Sequence, residues 1–281
     1  MNAISEILRK KNSTCALIPF ITAGYPTISQ SIEALRVLDS KGADIIELGV
    51  PYSDALADGP IIQESSKIAL EQGVYVEQVL KILSIASSSL SAPIVIFTYY
   101  NPVLSMGIQK FVQEIAASGA KGLLIPDLPF EETDYVIGLC KSFNIELILF
   151  IAPTSSQKRI DSILSKSPGC IYLVSSCGVT GMKKQLDDRI HGLLKSIKAK
   201  TGKLVMIGFG ISNSDQAYQV SKYDVDGIVI GSAFIKLISS STKNEMIDSL
   251  GEFCNSIRAA ISVNYPQGNS NPRYLREREM S

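Results

Sequence analysis

One histidine, no C-x-x-C pair and no surplus of either charge set the first limits on this 281-residue chain. His191 is the only residue that could serve a Ser-His-Asp or Cys-His arrangement. It follows a charged run in a helical stretch, where it reads as a surface residue. No His/Cys/carboxylate cluster has metal-ligand spacing, so no metal is expected. Five cysteines (Cys15, Cys140, Cys170, Cys177, Cys254) are odd in number, which points to reduced thiols in the cytoplasm or an organelle stroma. Four of them sit in or beside apolar segments as small core residues. Cys177 alone lies on a polar, glycine-bearing loop, with no partner for nucleophilic work. Lys+Arg and Asp+Glu both number 27, so no net field draws the chain to nucleic acid or an anionic membrane. No apolar run reaches spanning length, and the first eleven residues read as an amphipathic helix with no signal-peptide core.

What is present is repetition. Apolar, β-branched runs at 16–21, 44–50, 93–98, 122–125, 145–151, 170–175, 204–207 and 227–230 alternate with segments apolar at three- and four-residue spacing. Eight strand-helix units predict a single (β/α)8 TIM barrel over residues 1–263, with an extra N-terminal helix and an extra helix after the second strand. An open doubly wound sheet is the competing arrangement. Residues 264–281, polar and without apolar period, read as a disordered tail.

In such a barrel the chemistry sits at the C-terminal ends of the strands. The second strand carries Glu47 among apolar neighbours, on the face shared by Ile45 and Gly49. A buried carboxylate there is either tied into a structural ion pair or pushed up in pKa, ready for general acid–base work. The loop that follows brings Asp58, so two carboxylates in different environments can divide labour. Phe20, Tyr172 and Phe209 could wall the mouth for a planar aromatic ligand, although any one of them in isolation reads as ordinary core packing. Glycine-bearing turns carrying Gly181, Gly210, Gly231 and Ser232 follow strands six, seven and eight, where barrels commonly bind phosphate through backbone amides.

The stretch Pro19-Phe20-Ile21-Thr22-Ala23-Gly24-Tyr25-Pro26, then Glu47-Leu48-Gly49-Val50-Pro51-Tyr52-Ser53-Asp54-Ala55-Leu56-Ala57-Asp58-Gly59-Pro60, resembles the tryptophan synthase alpha subunit family. Asp127-Leu128-Pro129, Ser176-Cys177-Gly178-Val179-Thr180-Gly181 and Gly208-Phe209-Gly210-Ile211 extend the resemblance over residues 3–262. It implies retro-aldol cleavage of indole-3-glycerol phosphate to indole and glyceraldehyde 3-phosphate. Glu47 would be the acid/base and Asp58 the anion beside the indole N–H. Phe20 and Tyr172 would line the indole pocket, with Gly181, Gly210, Gly231 and Ser232 at the phosphate. Thr180 would hydrogen-bond Asp58 on loop closure.

The resemblance also implies an α2β2 heterotetramer with a beta subunit that holds the pyridoxal phosphate. This chain would have no cofactor of its own, and Pro51, Asp54, Asn101 and Pro129 would face the partner. Ala55 and Tyr52 replace the family's usual proline and phenylalanine, which bears on subunit coupling and not on the reaction. A non-catalytic regulatory subunit and a partner-independent lyase are the alternatives.

Overall fold

The eight apolar runs form eight strands: β1 Ala16–Thr22, β2 Ile46–Gly49, β3 Ile94–Phe97, β4 Gly122–Leu124, β5 Glu146–Ile151, β6 Ile171–Val174, β7 Val205–Gly208 and β8 Gly227–Ile230. A computed structural model describes residues 3–11, 15–174, 188–208, 210–240 and 242–262, apart from the side chains of residues 188, 240, 243 and 244. Of the expected features, Cys177, Thr180, Gly181, Phe209 and the tail from 264 lie outside the described residues. Each strand pairs in parallel with the next, and β8 returns to β1 through Ala16↔Gly227 and Pro19↔Ile230. The sheet is therefore a closed barrel, not the open competitor.

Alternation along the strands sorts side chains between two cores. Ile18, Ile45, Val95, Leu124, Ile148 and Met206 fill the barrel interior with Ile4 and Leu8. Ile46, Leu48, Ile94 and Ile96 point outward and pack with the surrounding helices. A fully buried Ile or Leu stabilises the fold by about 1.5–3 kcal/mol, so both layers are strongly driven.

The N-terminal helix Ala3–Lys10 buries Ile4, Ser5 and Leu8. It is keyed into the barrel floor by a polar cluster that the sequence reading did not single out. Ser5 donates its backbone N–H (3.0 Å) and its hydroxyl to Glu146, while Cys170 donates its N–H to Glu146 Oε1 at 3.2 Å and to Ser5 Oγ at 2.7 Å. At the other end of the chain, helix Lys243–Ser262 reaches back to the start of β2. Arg258 bonds Asp44 Oδ2 at 2.5 Å, and the same oxygen accepts the Leu17 N–H at 2.8 Å.

The expected extra helices are present: Ala3–Lys10 before β1, and Pro60–Glu71 ahead of Val76–Ser87 after β2. A short helix, Tyr100–Met106, directly follows β3. Pro102 is tolerated because it lies in the first turn, where the backbone N–H has no intrahelical acceptor. Asp127, on the loop after β4, accepts the Tyr100 N–H at 2.8 Å and so satisfies an N-terminal donor of this helix. His191 is half-buried with its ring against Tyr223 at 4.9 Å, so it does not stand on open surface. No helix among the described residues is long and apolar enough to cross a membrane.

Candidate active site

Two glutamates lie inside the barrel, and their surroundings are opposite. Glu146, at the N-terminal mouth, accepts from two backbone N–H groups, a hydroxyl and the Cys170 thiol. Glu47, paired with Phe20 across to β1 and with Val95 across to β3, is 1% exposed, and its Oε1 has no hydrogen-bond partner among the described residues. Burial alone pushes the Glu47 carboxyl up from 4.5 to about 8, so it stays protonated at neutral pH. An unfavourable ionised form with no compensating donor is what a structural glutamate avoids and a proton-transfer group needs.

Asp58 reaches the same mouth on the loop after β2. Burial raises its carboxyl from 3.8 to about 6, and a hydrogen bond from the Tyr99 hydroxyl, at 3.0 Å from Oδ2, works against that rise. Asp58 is therefore largely ionised at pH 7 while Glu47 is not. Tyr172, inward on β6, is held well above the ordinary phenol range by burial first, then by the charges of Glu47 and Asp58. All three groups therefore share one field.

Around them runs a belt of rings. Phe20 meets Phe97 edge-on at 5.6 Å, Phe97 meets Phe150 at 6.4 Å, and Phe150 lies tilted on Tyr172 at 4.8 Å. Phe97 also meets Tyr99 at 6.3 Å, and Tyr99 lies against Tyr52 at 5.2 Å. Two glycines make room for this belt. A Cβ at Gly49 would stand 2.5 Å from Phe20 Cζ, and one at Gly208 would collide with the Tyr172 hydroxyl and lie 2.7 Å from its ring carbons.

The structure thus brings Phe20, Glu47, Asp58 and Tyr172 together, and adds Tyr99, Phe97 and Phe150, which the sequence reading missed. For the last two a signal existed: each occupies the inward parity of its strand, two residues beyond Val95 and Ile148.

Gly231 and Ser232 stand where β8 runs into helix Ser232–Ser240, with the Gly231 carbonyl accepting the first helical bond from Ile235 at 3.1 Å. That helix presents its N-terminal amides at the C-terminal mouth of the barrel, a favourable place for an anion. Gly210 is exposed on the turn after β7, with open space where a Cβ would project. Of the surface positions, Asp54, Asn101 and Pro129 are exposed, whereas Pro51 is buried and offers no surface in the single chain. Leu56, beside Asp54, is 88% exposed. Among the described residues no group of three His, Cys, Asp or Glu side chains could hold a metal ion.

Comparison with known proteins gives a consistent result. Residues 7–262 match the family model described as tryptophan synthase alpha chain. The chain is 61% identical over 261 residues to the tryptophan synthase alpha chain of Gracilaria tenuistipitata var. liui, covering 93% of this chain and 97% of that protein. It is 55% identical over 260 residues to that of Antithamnion sp., covering 92% and 99%. Among solved structures, Mycobacterium tuberculosis tryptophan synthase superposes with a TM-score of 0.84 at 31% identity, covering 92% of this chain and 98% of that one. The Legionella pneumophila tryptophan synthase alpha chain gives 0.82 at 29% identity, covering 93% and 97%.

Proposed function

The chain belongs to the tryptophan synthase alpha chain family, and from that premise we propose that it is a carbon–carbon lyase. Its substrate is indole-3-glycerol phosphate, cleaved to indole and glyceraldehyde 3-phosphate. The observation that carries this reading is the pair of carboxylates in opposite protonation states at one mouth: Glu47 protonated by burial, Asp58 ionised beside Tyr99.

The reaction needs that difference. Indole leaves as a carbon only after C3 is protonated, which puts positive charge on the ring nitrogen. Glu47 donates the proton to C3, and the Asp58 carboxylate, accepting the ring N–H, offsets the charge that develops there. The Glu47 carboxylate then takes the proton from the hydroxyl on the carbon attached to C3. That oxygen's electrons form the aldehyde carbonyl, the C–C bond breaks, and its electron pair returns to the ring to restore indole. Glu47 ends protonated, as it began. Phe20 and Tyr172, with Phe97 and Phe150 behind them, present flat walls to the ring. The amides at Gly231 and Ser232 and the turn at Gly210 take the phosphate together with Gly181, while Thr180 hydrogen-bonds Asp58.

The chain needs no cofactor of its own for this chemistry. Its partner is a beta subunit carrying pyridoxal phosphate, in an α2β2 assembly. Asp54, Asn101, Pro129 and the bare apolar side chain of Leu56 offer it a contact face. Cys140, Cys170 and Cys254 are free and buried, which fits a reducing compartment, cytoplasm or organelle stroma.

The test is to incubate the full chain with indole-3-glycerol phosphate and follow both products, with and without a cognate beta chain. Equimolar indole and aldehyde, faster with the partner and lost in Glu47→Gln, is the expected result. Unchanged cleavage in that variant would remove Glu47 from the reaction. Partner activation with no cleavage under any condition would leave a regulatory subunit instead.

A further inference from the structure

We infer that Tyr99 is a positioning residue for the cleavage, its hydroxyl engaging Asp58 Oδ2 so that Oδ1 is the oxygen left to accept the ring N–H. The inference rests on the role proposed above for Asp58. It starts from a directed chain of two hydrogen bonds. The Ala57 backbone N–H donates to Tyr99 Oη at 3.0 Å, and Tyr99 Oη donates to Asp58 Oδ2 at 3.0 Å. A backbone amide can only donate, so the tyrosine oxygen must accept from it. The one phenolic proton is then committed to the carboxylate.

The ring has little freedom to do otherwise. Tyr99 is 4% exposed, tilted against Tyr52 and edge-on to Phe97. It leaves the end of β3, whereas Asp58 hangs on the loop after β2, so the bond also fixes that loop over the barrel mouth.

A proton donated to a carboxylate stabilises its ionised form. Among the described residues Tyr99 provides the one side-chain hydrogen bond to Asp58, and no Lys or Arg pairs with it. The other titratable groups facing this pair are Glu47 from β2, Tyr52 from the loop after β2, Tyr172 from β6 and Asp127 from the loop after β4, and Asp127 is itself engaged by the Tyr100 N–H. With nothing cationic at hand, the phenol is the group that opposes the rise caused by burial. Removing it moves the Asp58 midpoint further up from about 6, into the range where the anion is required.

A purely structural tyrosine would leave that midpoint alone, and this separates the two roles. The full chain, labelled with carbon-13 at the aspartate carboxyls, is titrated by NMR without substrate, with Asp58→Asn to assign the signal. Tyr99→Phe keeps the ring and its contacts, while 3-fluorotyrosine at position 99 is a stronger donor of the same shape. The expected result is a midpoint about one pH unit higher in Tyr99→Phe and a few tenths lower with fluorotyrosine. In cleavage assays the acid limb of kcat/KM follows the midpoint, giving about a tenfold loss for Tyr99→Phe below pH 6 that largely disappears near pH 7.5. Tyr52→Phe, which keeps the phenol of Tyr99, leaves the limb in place.

An unmoved Asp58 signal in both Tyr99 variants, or a loss uniform at every pH, would overturn the inference. Full activity in Asp58→Asn would instead overturn the role of Asp58, whatever Tyr99 does.

Discussion

Replacing Glu47 by glutamine should make the substrate-free protein more stable, and increasingly so as pH rises. The carboxyl titrates at 4.5 when free and at about 8 in the folded chain, because it is buried with Oε1 unpartnered. An acid whose folded pKa is raised binds its proton more tightly in the folded state, so unfolding releases a proton between those two values. Over that window wild-type stability falls by about 1.4 kcal/mol per pH unit on this group's account. At pH 4 the penalty is absent; by pH 7 it amounts to about 3 kcal/mol, and above pH 8 it levels near 5 kcal/mol.

Glutamine carries no such term. Its amide changes hydrogen bonding by an amount that does not depend on pH, so the slope of the difference isolates the ionisation. Asp58, raised from 3.8 to about 6, adds its own fall in stability, but equally in both proteins, and cancels. Urea unfolding followed by circular dichroism from pH 4 to pH 8.5 reads the gap directly; the chain has no tryptophan to report by fluorescence. A gap that stays flat across that range, or shrinks with rising pH, would refute the reasoning. Glu47 would then be solvated or paired in the folded protein.

Other consequences follow from single contacts. Gly208→Ala places a methyl group against the Tyr172 ring, so it should cost about 1–3 kcal/mol in urea unfolding and lower kcat/KM by turning the ring toward the substrate. Glu146→Ala leaves the Ser5 and Cys170 N–H groups of the barrel floor without their acceptor and should cost about 3 kcal/mol of stability. The folded fraction should keep its kcat, since the reacting groups lie at the opposite mouth.

The barrel was legible because its strands are apolar on both faces and recur eight times, a pattern set by local residue order. Glu47 was legible for the same reason, since one carboxylate at the inward parity of an apolar strand stands out. Glu146 carries that same signal on β5 and was overlooked. What sequence could not separate is a saturated glutamate from a bare one, because the donors to Glu146 come from Ser5 and Cys170, distant in the chain. Tyr99 was illegible for a related reason. Its bond to Asp58 spans 41 positions and exists only once the β2 loop folds over the end of β3. The capping of helix Tyr100–Met106 by Asp127 is likewise a contact between neighbouring barrel units. Local pattern thus reveals which residue faces the interior, and tertiary geometry decides what meets it there.

The most direct test of two carboxylates in opposite protonation states is the pH dependence of kcat/KM for indole release by the wild-type chain. A bell is expected, rising as Asp58 ionises near pH 6 and falling as Glu47 loses its proton near pH 8. A rate that keeps climbing beyond pH 9 would contradict a protonated Glu47 as the starting acid, and a rate already maximal at pH 5 would contradict Asp58 as the required anion.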